Sequence, residues 1–224
     1  MSEKKQKSTL IKDALILFAI TLIAAFALGA VYEITKDPIA EAEAKAKTDA
    51  AKAVFAEMKE TAEAPAGSVE KAQSLIDGSS NKEFDTITID EILQALDENG
   101  NKIGDIITVT SKKGYGGQIT VIMGVADDDP QTLKGIEFLS ISETPGLGMK
   151  AKDDDTSNDN PENPVDFKDQ FKGVQIGENG FKLTKRNINM SADTEIHAIS
   201  SATITTSAVT NIVNAGLKVA ASID

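Results

Sequence analysis

The chain contains no cysteine, and His197 is its only histidine. Thiolate-ligated iron–sulfur clusters are therefore excluded within it, and so is a small module stapled by disulfides. A single imidazole nearly excludes metal sites built from histidine and thiolate. No Gly-x-Gly-x-x-Gly fingerprint for dinucleotides occurs, and no internal repeat. Acidic residues exceed basic ones, giving a net charge of −12 at pH 7. That balance repels nucleic-acid phosphates. Any redox chemistry must rest on a bound organic cofactor.

What the chain does have is one long apolar run. Ala14 to Tyr32 carries no charge and consists mostly of Leu, Ile, Ala and Phe. At about 1.5 Å per residue a helix of this length spans roughly 28 Å, close to the hydrocarbon thickness of a bilayer. It exceeds the apolar region of about 7–15 residues in a cleaved signal peptide. Ala25-Phe26-Ala27 and Ala27-Leu28-Gly29 do have the small residues of a cleavage site. A transmembrane helix over 14–32 is the better reading. The preceding tail, 1–13, holds Lys4, Lys5, Lys7 and Lys12 against Glu3 and Asp13. By the positive-inside rule it is cytoplasmic, and the acidic remainder lies outside the membrane. Tyr32 falls at the outer interface, where its ring and hydroxyl both find partners.

The following residues, 33–83, read as a membrane-proximal helix and loop. Asp37-Pro38 has the form of a cap followed by proline at the first helical position. From Pro38 to about Glu60 the chain is rich in Ala, Glu and Lys, the composition of a helix with a solvated charged face. Thr61 to Ser80 reads as a loop with at most a short helical turn. From Phe84 onward a single domain, 84–224, shows strand periodicity. Thr86-Ile87-Thr88-Ile89 alternates, and Asp97-Glu98-Asn99-Gly100-Asn101 is a hairpin signal. Strands are expected over Lys102–Ser111, Gln118–Val125, Leu133–Ile141 and Phe181–Thr184, with a short helix at Phe167–Phe171. Short connections favour antiparallel pairing. The fold class is α+β, an antiparallel sheet flanked by helices.

Acidic stretches attract cations, but the pattern here is poor. Asp153 to Asn160 has oxygen-bearing side chains that suit calcium, yet it lacks the glycine and terminal glutamate of an EF-hand loop. A solvated insertion ending at Pro161 and Pro164 explains it better. Asp127-Asp128-Asp129-Pro130 is read as a turn between strands.

The most informative segment is Ile196-His197-Ala198-Ile199-Ser200-Ser201-Ala202-Thr203-Ile204-Thr205-Thr206-Ser207. Val209, Ile212, Val213, Gly216, Leu217 and Ala220 continue it at helical spacing, so a helix with one apolar face follows. Thr205, Thr206 or Ser207 can cap it. The free N–H groups and dipole of a helix start attract anions, and small neighbours let a bulky group approach. On local chemistry alone, a well-capped Ser/Thr-rich helix start is the better reading.

The segment also resembles the flavinylation motif of the FMN-binding domain family, Asp-x-x-Ser/Thr-Gly-Ala-Thr, whose last threonine carries FMN through a phosphoester. The resemblance makes Thr203 the flavin-bearing residue, with Ser200, Ala202, Thr205 and Thr206 around the phosphate. Two positions depart from the pattern: His197 stands where aspartate is usual, and Ser201 replaces the glycine. A positive φ at 201 would be cheapest for glycine. Upstream, Ser142-Glu143-Thr144-Pro145-Gly146-Leu147-Gly148 is similar to the Glu-Thr-Pro-Gly-Leu-Gly signature of the G subunits of Rnf-type ferredoxin–NAD oxidoreductases. Gly114-Tyr115-Gly116-Gly117 is similar to a glycine-rich stretch of the same family. By themselves, Pro145-Gly146 is an ordinary turn and the glycines a flexible bend between strands. The resemblance implies that Glu143, Thr144, Gly146, Leu147 and Gly148 border the flavin ring.

The resemblance further implies an electron-transfer subunit in the cell membrane with an extracytoplasmic FMN-binding domain, the FMN being covalent. Its partners would be other membrane and peripheral subunits, with ferredoxin and NAD reached only through them. A separate flavin transferase would install the FMN. Three alternatives stay open: the corresponding C subunit of a sodium-pumping NADH–quinone oxidoreductase, a stand-alone flavinylated anchor, and an unflavinylated structural module.

Overall fold

The computed structural model describes residues 2–127, 132–153, 165–175, 180–184 and 195–223. The chain divides into two compact units, 1–46 and 47–224. The first unit is helical, part of α1 (Ser2–Val54). Among the described residues α1 alone is long and apolar enough to cross a membrane. Its side chains from Ile11 to Tyr32 are exposed, as a lipid-facing surface requires.

Pro38 lies inside α1 and does not start a second helix. Proline withholds one N–H and crowds the carbonyl four residues back. The Ala-, Glu- and Lys-rich residues beyond it have high helix propensity and carry the helix on. In the second unit, α1 stops at Val54, short of the expected Glu60, because Phe55 and Met58 turn inward. Phe55 is 2% exposed and Met58 6%. The Met58 amide donates to the Phe55 carbonyl, and the Lys59 amide then donates to Leu96 across the start of the sheet.

Six strands form an antiparallel meander in chain order: β1 (Glu60–Glu63), β2 (Ile87–Leu96), β3 (Lys102–Ser111), β4 (Ile119–Ala126), β5 (Thr132–Ser140) and β6 (Val174–Gln175). The four main strands agree with the expected strand segments within a few residues, although β2 extends to Leu96. In the hairpin between β2 and β3, Asp97 Oδ1 accepts from the amides of Asn99 and Asn101. Gly100 takes the positive φ there, 80°.

The segment read as a loop, 61–80, instead supplies β1 and the helix α2 (Ser68–Asp77). Ala72 and Ile76 bury the inner face of α2, so apolar spacing outweighed the small-residue composition. Two further strands, β7 (Lys182–Thr184) and β8 (Glu195–His197), pair in parallel. That pairing departs from an all-antiparallel arrangement. The last helix, α3 (Thr203–Ile223), packs with α2 over one face of the sheet. Val209, Ile212, Val213, Leu217 and Ala220 of α3 join Ile107, Val109, Val121 and Met123 in the main core. A smaller cluster on the other face gathers Ala51, Phe55 and Met58 against Ile106 and Ile122. The acidic segment from Asp154 and the turn residues 128–130 lie outside the described residues.

Candidate functional site

Three segments, distant in sequence, meet at Glu143. This residue is 8% exposed, and its Oε1 is buried without a hydrogen-bond partner. A methyl group on Gly114 would come within 2.9 Å of that same oxygen. One on Gly116 would collide with the Ser142 carbonyl. One on Gly148 would lie 2.6 Å from Thr205 Oγ1 and 2.7 Å from Glu143 Oε2. The glycine-rich stretch, the turn after β5 and the first turn of α3 therefore close on one another without room for side chains. The 142–148 turn is held by the Thr144 carbonyl, which accepts from Leu147 and Met149. Gly146 takes a φ of 73° there.

The entry to α3 is a second built feature. The Ala202 amide donates to the Ile199 carbonyl at 3.0 Å, closing a turn through Ser200 and Ser201. Ser201 has a φ of 62°, the only positive value at a non-glycine position among the described residues. A side chain there costs about 1–2 kcal/mol relative to ordinary helical backbone. Thr206 locks the turn. Its hydroxyl accepts from the Ile199 amide at 3.2 Å and donates to the Ala202 carbonyl at 2.9 Å. The helix starts at Thr203, before the hydroxyls expected to cap it, because the left-handed residue reverses the chain early. Thr203, Ile204 and Thr205 thus hold first-turn N–H groups that have no intrahelical partner.

The sequence-derived residues separate into a buried and an open set. Thr205, Thr206, Ala202, Glu143 and Gly148 are buried, whereas Ser200, Thr203, Thr144, Gly146 and Leu147 are exposed. Outside α1, the exposed large apolar side chains among the described residues are Tyr115, Leu147 and Ile204. Each of the three converging segments contributes one of them.

Thr203 heads an open cleft of about 320 Å³. Ile204, Ser207, Ala208 and Asn211 line it from α3, and Glu83, Ser111 and Lys113 from the opposite bank. Residues 203, 204, 207, 208 and 211 form one helical stripe, so Asn211 was within reach of a periodicity argument. Glu83 was not, since nothing local links it to α3. Lys113 Nζ pairs with Glu83 Oε2 at 3.0 Å, and Asn211 Nδ2 donates to the same oxygen at 3.5 Å.

His197 is 7% exposed, with Nε2 buried and unpartnered. Its backbone is clamped by Gln170, whose Oε1 accepts from the His197 amide at 2.7 Å and whose Nε2 donates to its carbonyl at 3.4 Å. These residues fit a phosphorylated flavin. Exposed Thr203 opens on a cleft that holds one cation, Lys113, paired with Glu83, and open space lies beside Gly117 and Gly146 of the adjoining segments.

The FMN-binding domain family matches residues 114–218, which include all three converging segments. The RnfG N-terminal region matches residues 1–54. The chain is 30% identical over 208 residues to the G subunit of the Na(+)-translocating ferredoxin:NAD(+) oxidoreductase complex of Acetobacterium woodii, covering 93% of this chain and 90% of that one. The crystal structure of Shewanella oneidensis NqrC is similar with a TM-score of 0.45, 20% identity and 59% of each chain covered. On its extent of likeness to the Acetobacterium protein, the chain belongs to the family of RnfG subunits.

Proposed function

We propose that this chain is the electron-transfer subunit of a membrane-bound, ion-translocating ferredoxin–NAD oxidoreductase, and that it carries FMN as a phosphoester on Thr203. The observation that carries this reading is the exposed Thr203 side chain, set on a locked turn at the head of an open cleft. The near full-length likeness to a subunit of such a complex supports it.

Residues 1–13 form the cytoplasmic tail, 14–32 the membrane span, 33–83 a connecting region and 84–224 the FMN-binding domain on the outer side. Outside the cell a dissociable cofactor would be lost by diffusion, and a covalent bond prevents that. Thr203 Oγ1 would be the acceptor that displaces AMP from the FAD of a flavin transferase, giving up its proton as the phosphoester forms.

Bound FMN supplies one- and two-electron transfer. The chain's own residues hold and shield it. Ser200 and the first-turn amides of α3 face the phosphate, while Thr205, Thr206 and Ala202 form the support beneath. Glu143 and Gly148 anchor the turn on which Thr144, Gly146 and Leu147 border the ring. Leu147, with Tyr115 and Ile204, gives it apolar contact. Electrons pass to and from membrane-embedded partner subunits, so the isolated chain reduces no NAD.

Intact mass and in-gel flavin fluorescence of the protein from its native membrane, beside Thr203→Ala, test the assignment. The expected result is one FMN per chain, abolished by the substitution. An unmodified native chain would leave a structural role as the better account.

A further inference from the structure

The covalent reading of Thr203 fixes where one charge must lie. The phosphorus is one bond from Thr203 Oγ1, and Thr203 lines the cleft, so the phosphate lies at the mouth of that cleft wherever the ring points. As a diester it retains a negative charge. Two charged side chains line that cleft among the described residues, Lys113 and Glu83, and they are paired at 3.0 Å.

We propose that Lys113 is a positioning residue for the cofactor, its ammonium leaving Glu83 to pair with the phosphodiester on Thr203. Four observations lead there. Both partners of the pair are about half exposed, 46% and 50%, so their mutual attraction is screened by water and readily exchanged. Lysine is a point charge on a flexible stem, able to swing between two anions that share a cleft. The base of that stem is fixed, because the Lys113 amide donates to Ser111 Oγ at 3.2 Å. Asn211 Nδ2 already donates to Glu83 Oε2 and remains as its partner when Lys113 departs. Without Lys113, Glu83 would face the phosphodiester as a like charge. The first-turn amides of α3 add to the attraction.

The proposal rests on FMN being bonded to Thr203, and its test separates the two. The full chain, co-expressed with its flavin transferase, is compared with Lys113→Gln, Lys113→Arg and Glu83→Gln. The readouts are intact mass, the ³¹P resonance of the phosphodiester and the anisotropy of flavin fluorescence. In the native chain, raising salt is expected to move the ³¹P signal toward its position in Lys113→Gln. Lys113→Gln is expected to carry FMN with a shifted ³¹P signal and lower anisotropy, or to load less FMN. Lys113→Arg should restore the native values, and Glu83→Gln should keep them. Loaded Lys113→Gln with native ³¹P shift and anisotropy would overturn the proposal. So would an equal loss of loading in Lys113→Arg, since a cation would then not suffice. A native chain without FMN would overturn the covalent reading, and this proposal with it.

Discussion

Gly148 packs directly on Thr205. A methyl group added to this glycine would stand 2.6 Å from Thr205 Oγ1, 2.7 Å from Glu143 Oε2 and 2.8 Å from Glu143 Cβ. The turn after β5 and the first turn of α3 are thus interlocked, and Thr205 Oγ1 and Glu143 Cβ belong to the short or basal parts of their side chains. Gly148→Ala is expected to destabilise the protein by about 1–3 kcal/mol through overpacking. It should also lower covalent FMN content, because the shift is transmitted to the residue beside Ile204 and Thr203. Urea unfolding and intact mass of the full chain check the two effects.

Ser201 offers the opposite sign. Its φ of 62° is a conformation that glycine adopts with no Cβ penalty. Ser201→Gly is expected to stabilise the native state by about 0.5–1 kcal/mol, the gain from lost strain exceeding glycine's added chain entropy. Ser201→Ala should give no such gain. Parallel unfolding curves of the three chains decide it; an unchanged midpoint for Ser201→Gly would show the turn to be relaxed.

Thr206 couples the turn to the helix through one hydroxyl with two bonds. Thr206→Val preserves shape but leaves the buried Ile199 amide without its acceptor. A cost of about 1–3 kcal/mol is expected from that orphaned donor. Thr206→Ser should cost clearly less. Hydrogen exchange at Ile199 and Ala202, faster in the valine variant, locates the effect.

Lys102 provides a pH-dependent test away from the site. Burial depresses its pKa, but Asp105 at 3.0 Å and Asp127 at 3.3 Å outweigh that and hold it above the ordinary 10.5. A raised pKa in the folded state means stabilisation present in full below 10.5 and lost as pH rises through the folded value. Lys102→Met removes the cation beside Asp105, which is 1% exposed. The variant is expected to be less stable at neutral pH by about 1–3 kcal/mol. That deficit should narrow in alkaline solution above the lysine's ordinary range. A deficit constant with pH would show it to come from lost packing alone.

Much of this protein is legible in its sequence because the governing forces act locally. An uncharged apolar run from Ala14 to Tyr32 has few stable fates other than a membrane. Alternation at Thr86 to Ile89, and the strand-like runs between turn signals that follow it, located β2 to β5. The spacing of Val209, Ile212, Val213 and Leu217 placed the buried face of α3. The motif around Thr203 was visible as residue types in order.

Other features were decided by contacts between distant residues. Pro38 and the Gly/Ser/Pro-rich 61–80 region both read as breaks, yet helix propensity carried α1 past the proline. Burial of Ala72 and Ile76 turned part of the loop into α2. The parallel β7–β8 pair and the left-handed Ser201 follow from how the chain must arrive at α3. Charge placement was least legible of all: Lys113 meets Glu83 across 30 residues of chain only because β2 and β3 bring their ends together. Sequence alone determined the membrane-length run, the main strands and the order of the motif segments, since composition and periodicity are properties of neighbours along the chain. The tertiary structure decided what faces Thr203, because a cleft has two banks and the second comes from elsewhere in the fold.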